Sequence, residues 1–483
     1  MSGRPPADNE RPAGPEHRAD GAPSAPRLHG APSVPSASLT RRDLLKGLGL
    51  GAVGLSTIGL LEACAPAPSV TPPVATATPS KSPSASASPV TRRITIGFVT
   101  PLTGPAARFA MGDAFVVDRV RQSEPYAKGV TVGGTTYDVA IVVKDSRSDP
   151  DGASQAAADL ILQDRADLIV TSSGSETTNP VAALCEVQGV PCLSTAVPWE
   201  DWFFSRQIDP GKPVPFRYSA MFFFGARELA GCFIPMWNRV RTNKRAAHMF
   251  PDGPDRGMVQ TGLAPLVEKA GYEALGGPYT AGSTDFAALI ADFKDAKCEV
   301  YAGAPLGPDF DAFWRQAFQR GYKPKIATVS RALQFPADVE TLGSLAGNVA
   351  TAGWWSPTMP YKSSLSGETS AALAQAYEVA SGARWLQTLG STYALFEVVH
   401  AALTKVTDPF DRSAVAAALG TVSYAGICGP LDLAKGPYPG IGIVRPVGMQ
   451  WHKGTTHPWE LVVVDNSLNK AVPVGGSVRP TYA

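Results

Sequence analysis

The chain has 483 residues, 44% of them hydrophobic and 18% charged, which is enough for a large core and, by length, two or three domains. Its 43 basic and 42 acidic side chains leave a formal net charge of +1. A chain so balanced lacks the basic excess with which nucleic-acid binders displace counterions, and this argues against that class of partner.

Residues 1–39 are rich in Pro, Ala, Gly, Ser and Arg and almost free of large apolar side chains. Such a segment cannot bury enough surface to offset its chain entropy, so disorder is expected. Thr40-Arg41-Arg42-Asp43-Leu44-Leu45-Lys46 follows, then a Gly-rich apolar run over 47–61. The run is too short to span a bilayer comfortably. A twin arginine, Arg41 and Arg42, ahead of a short, mildly apolar run resembles a Tat export signal. The run ends in Leu61-Glu62-Ala63-Cys64, which resembles a bacterial lipobox despite the uncommon Glu62. That likeness implies a signal peptide over 40–64 and a lipid on Cys64, which would hold the protein at a membrane surface outside the cytoplasm. A buried core helix is the alternative for the run, with nothing nearby to cover it. Residues 65–92 read as an extended Pro/Ser/Ala/Thr linker. The G-x-G-x-x-G match at 49–54 has no strand before it and no βαβ unit around it, so it is not a dinucleotide site.

The folded body begins near 93. Residues 94–99 form a strand, followed by a Gly/Pro turn and a helix through Phe115, Val116 and Val120. A second strand is expected at 137–144, and Asp149-Pro150 then starts a helix, with Asp149 as N-cap and Pro150 in the first turn. Further strands are expected at 168–171 and, after a helix from Pro180, at 190–193. The alternation resumes with a strand at 245–250, a helix at 259–270, a strand at 299–302, a helix at 310–320 and a strand at 326–329. Strands alternating with helices imply parallel, doubly wound sheets, and two successive sets imply two lobes. A ligand is then expected beyond the carboxyl ends of the strands, in the cleft between lobes.

Five cysteines lie beyond Cys64. Cys185 and Cys192, expected at a helix end and the next strand start, form a possible disulfide; the alternative is that all five are small buried residues. Neither C-x-x-C nor a Cys/His set at zinc spacing occurs, so neither a metal nor a cofactor is expected.

Several stretches, taken in order, resemble the branched-chain amino-acid and amide binding family of type I periplasmic binding proteins. They are I-G-F-V-T-P-L-T-G-P-A-A-R-F-A from Ile96, D-S-R-S-D-P-D-G-A from Asp145, S-S-G-S-E-T-T-N-P from Ser172, G-V-P-C-L-S-T-A from Gly189, the S-T-Y-A-L-F-E segment within 385–400, and C-G-P-L-D-L from Cys428. The resemblance implies two Rossmann-like lobes joined by a three-strand hinge. Lobe one would be 93–220 plus 351–428, and lobe two 221–350 plus 429–483. It also implies an ABC-transporter substrate-binding lipoprotein that closes on a small molecule and presents it to permease subunits.

The resemblance also points to site residues. Ser175 matches a position whose hydroxyl and nearby backbone bind a ligand carboxylate; a hydroxyl and free N–H groups at a helix start suit an anion, and a plain capping loop is the other reading. Ala196 and Pro198 match positions that supply a backbone contact and a Thr hydroxyl, yet Pro198 has neither hydroxyl nor N–H. Trp199 beside them is either an aromatic wall or a core residue. Phe109 stands where the family often places an aromatic over the ligand, and Asp255 and Ala304 where it often has Tyr. Arg331 falls near a Glu that holds the ammonium of amino acids; an Arg there repels an ammonium and attracts an acceptor. Asp255 is expected to neutralise Arg331 or to meet a cation on the ligand. Trp354 and Trp355 either edge the cleft or pack the hinge. The swapped charges favour an acidic or aromatic-acid ligand over a simple aliphatic amino acid.

An enzyme is not expected. His248, His400, His452 and His457 are scattered, and H-E-x-x-H, G-x-S-x-G and P-loop motifs are missing from the sequence. The alternative to transport is a ligand-sensing domain signalling to a separate partner.

Overall fold

Short β-branched runs become the strands, and the Gly/Pro-rich turns between them become the loops at strand ends. The computed structural model describes residues 92–253 and 257–482, which fall in one compact unit, Ala85–Ala483. The expected extension and signal, with Arg41, Arg42 and Cys64, lie outside the described residues, as does Asp255.

The first sheet draws on β1 (Ile94–Thr100), β4 (Val139–Asp145), β5 (Leu168–Ser172), β6 (Cys192–Thr195) and β7 (Ser219–Phe222), after a small hairpin of β2 (Val130–Val132) and β3 (Thr135–Tyr137). The second draws on β8 (Arg245–Pro251), β9 (Glu273–Tyr279), β10 (Val300–Gly303), β11 (Ile326–Val329) and β12 (Ala350–Gly353). A second hairpin, β13 (Ser423–Gly426) and β14 (Gly429–Asp432), precedes β15 (Ile441–Gly442), β16 (Val447–Lys453) and β17 (Trp459–Asp465). The first sheet runs β15-β7-β6-β5-β1-β4, all parallel, and the second β17-β16-β12-β11-β10-β8-β9, antiparallel only at β12-β16-β17. This is an α/β fold of two doubly wound sheets.

Local chemistry sets the elements. Asp149 accepts from the Gly152 N–H at 2.7 Å and Pro150 opens helix Pro150–Leu162. That helix packs so close to β1 that a Cβ on Gly97 would lie 2.8 Å from Leu160. In helix Gly307–Gln319 the buried Phe310, Phe313, Trp314 and Ala317 recur at helical spacing on one face. Helix Ser175–Gln188 begins five residues before the expected start at Pro180. Proline there forfeits the bond its N–H would have made to the Glu176 carbonyl and crowds that carbonyl, yet the helix runs through it.

The lobe boundaries also shift. β7 extends the first sheet to Phe222, so the first crossover is 223–225. β12 pairs with β11 and β16, which puts the second crossover at Trp354 rather than 351. β15 pairs with β7, so the third falls in 443–446 rather than at 428. The C-G-P-L-D-L element instead forms the hairpin tied to lobe one. The buried Glu397 of helix Thr388–Leu403 accepts from the Ile427 N–H at 2.9 Å and the Ser364 N–H at 2.6 Å. Burial pushes its carboxyl up to about 7 against those bonds.

The possible Cys185–Cys192 disulfide is not formed. Both are free, buried thiols, and their mutual hydrogen bond, followed by burial, pushes Cys185 well above the usual thiol range. They fill the first-lobe core as small apolar side chains.

Candidate functional site

The carboxyl ends of both sheets meet across a cleft of about 640 Å³, its open mouth included. Lobe one supplies Phe109 from the turn after β1, Ser173 to Glu176 after β5, and Ala196 and Pro198 after β6. Lobe two supplies Ala304 after β10, and Ser330 and Arg331 after β11. Several of these loops hold non-glycine residues at positive φ: Ser173 at 78° and Ala196 at 56°. Such backbone persists only where its surroundings over-determine it, and here the Ser173 N–H donates to the Thr195 carbonyl and the Gly174 N–H to the Ala196 carbonyl.

The crossovers form the floor. Phe223 and Phe224 stack with ring centres 4.3 Å apart, and Trp354 meets Phe223 edge-on at 5.3 Å. The Val444 N–H of the third crossover donates to the Phe223 carbonyl. Trp354 is 2% exposed and its Nε1–H lacks a hydrogen-bond partner. At the first crossover the Glu200 carboxylate from lobe one accepts the Ala226 N–H at the start of the lobe-two helix Ala226–Trp237, 2.9 Å away. Burial pushes Glu200 up to about 7.

Three contacts bridge the lobes around the cleft. Arg108 pairs with Asp338 at 2.7 Å, Phe109 meets Phe335 edge-to-face at 4.9 Å, and Arg331 pairs with Glu176 at 2.5 Å. Burial pushes Asp338 up to about 6, outweighing the pull of the half-exposed Arg108. The lobes are therefore closed on each other.

Of the residues anticipated from sequence, Phe109, Ser175, Ala196, Pro198, Ala304 and Arg331 stand together in the cavity wall. Trp199 does not: it opens helix Trp199–Phe204 and turns its ring toward Phe204 and Tyr438. Trp354 edges the cavity, whereas Trp355, fully buried, packs on Trp385 and leaves no room for a Cβ at Gly390. Glu176, Phe223, Phe224, Met258 and Ser330 also line the cavity and were not anticipated. The run of aromatics at 222–224, sitting at a lobe crossover, was the available signal for two of them.

Two hinged α/β lobes with a cavity walled by both define a solute-binding receptor. A family profile described as periplasmic binding protein matches residues 93–437. The chain belongs to that family, whose members are extracytoplasmic solute binders rather than enzymes. Similar solved structures include a leucine binding protein from Thermotoga maritima, with TM-score 0.61 and 18% identity over 76% of this chain and 97% of that one. A solute binding protein of an ABC transporter from Rhodopseudomonas palustris, in complex with 3,4-dihydroxybenzoic acid, has TM-score 0.58 and 19% identity over 80% and 99%. A branched-chain amino acid transporter substrate binding protein from Streptococcus pneumoniae, in complex with isoleucine, has TM-score 0.59 and 17% identity over 80% and 100%. At this identity the likeness shows the fold. Comparison with curated protein sequences gave no match.

Proposed function

We propose that this protein captures a small molecule for an ABC importer, closing its lobes on the ligand and presenting the closed form to permease subunits. The observation that carries the reading is the cavity itself: both lobes wall it, and three side-chain contacts bridge the lobes around it. A ligand shifts such an equilibrium only by what it gains in the closed form, and here groups from lobe two, Ala304, Ser330 and Arg331, are within its reach only then. The twin arginine and the lipobox-like Cys64 support export and a lipid anchor, with 65–92 as the tether.

The test is a native mass spectrum of freshly purified protein together with small-angle scattering before and after the carried-over compound is stripped. A released small molecule and a larger radius of gyration after stripping are expected. No released compound and an unchanged radius would sink the reading. For the anchor, Cys64→Ser is expected to move the protein from the membrane to the soluble fraction.

A further inference from the structure

We infer, resting on the receptor reading above, that the ligand is an uncharged aromatic compound bearing a hydrogen-bond acceptor, such as an aromatic amide, because the protein's own Glu176 carboxylate already fills the cavity's anion seat. Helix Ser175–Gln188 points its start into the cleft, and its N-cap, Gly174, offers no capping side chain. The positive end of the helix dipole makes that start a favourable place for a carboxylate. Glu176 folds back over it: a Cβ on Gly174, which sits at φ 81°, would lie 2.6 Å from Glu176 Oε1 and 2.7 Å from Oε2. The same carboxylate takes the Arg331 guanidinium from lobe two at 2.5 Å.

Both features expected to attract a ligand carboxylate are thus engaged by one internal carboxylate. Among the described residues that line the cavity, Glu176 and Arg331 are the charged ones, and they are paired with each other. A second carboxylate beside Glu176 would add like-charge repulsion and desolvation without a new cation. An ammonium would face Arg331. What remains is an aromatic box of Phe109, Phe223, Phe224 and Trp354. Its buried donor, Trp354 Nε1–H, lacks a protein partner, and a buried unpaired donor is costly unless a ligand acceptor meets it.

Matched pairs test this. Titration calorimetry on the stripped, refolded full chain would compare benzoate with benzamide and phenylacetate with phenylacetamide. The amides are expected to bind at least tenfold tighter than the acids. Glu176→Gln, which keeps the shape but frees the seat and Arg331, is expected to close or reverse that gap. Trp354→Phe is expected to weaken the amides about tenfold, the loss of one buried hydrogen bond. Tighter binding of the acids by the parent chain, or a gap that Glu176→Gln leaves unchanged, overturns the inference. So does a carried-over aromatic acid in the native mass spectrum, which would leave the receptor reading standing. Absence of binding by every pair member, together with no released compound, overturns both.

Discussion

The floor and the rim of the cleft are built on opposite plans. The floor, Phe223, Phe224 and Trp354, lies on the crossovers, is almost fully buried and belongs to the apolar core that runs from the first lobe into one face of the second sheet. The rim is made of long side chains reaching between lobes, Arg108 to Asp338, Phe109 to Phe335 and Arg331 to Glu176, all but the buried Phe335 partly open to water. The floor therefore contributes to folding whatever the lobe angle, whereas the rim contributes to closure. Substitutions can pull these two roles apart.

The largest effect is expected at the floor. Trp354→Ala should lower unfolding free energy by about 3–5 kcal/mol in urea titrations, the usual cost of removing a buried Trp. A loss under about 1 kcal/mol would show that the floor is not part of the core.

Next comes Glu200, beneath the floor. Its folded pKa of about 7 lies above its ordinary 4.5, so between those values the folded chain holds the proton more tightly. Its contribution to stability is complete below about 4.5 and fades as pH rises through 7. Parent stability relative to Glu200→Gln should therefore fall between pH 5 and pH 8, by up to about 3 kcal/mol. A pH-independent difference in urea melts would remove the argument.

At the rim, a double-mutant cycle of Glu176→Ala and Arg331→Ala should give a coupling of about 1 kcal/mol, between the values for exposed and buried pairs. The single variants should enlarge the radius of gyration more than they lower the urea midpoint. If they melt as severely as Trp354→Ala, floor and rim are one structure. The smallest effect is expected from Phe109→Leu, which removes an edge-to-face ring contact of about 0.5–1.5 kcal/mol at a half-buried position and should also register chiefly as lobe opening.

Much of this was legible in the sequence because parallel strands buried on both faces read as continuous β-branched runs. Those at 94–99, 168–171 and 326–329 fall on β1, β5 and β11. The family resemblance pointed to Phe109, Ser175, Ala196 and Arg331, and these stand in the cavity wall. What was hidden depends on distance along the chain. Glu176 and Arg331 are 155 positions apart, and no local pattern announces their pairing. β7 and β15 are strands of four and two residues whose identity comes from their neighbours, so the crossovers beside them were misplaced. Trp199 stayed open between wall and core because a six-residue helix decides which way its ring turns, here toward Phe204 and Tyr438.

The crossovers have a further consequence for biosynthesis. β12 must wait for β16, where Ala350 faces Gln450, and β7 must wait for Ile441 and Gly442. A nascent polypeptide released as far as residue 400 thus carries two unfinished sheets, each with an open edge able to pair with another chain. Both halves are completed by the same late stretch, 441–465, which makes that stretch the one that covers the open edges of the rest.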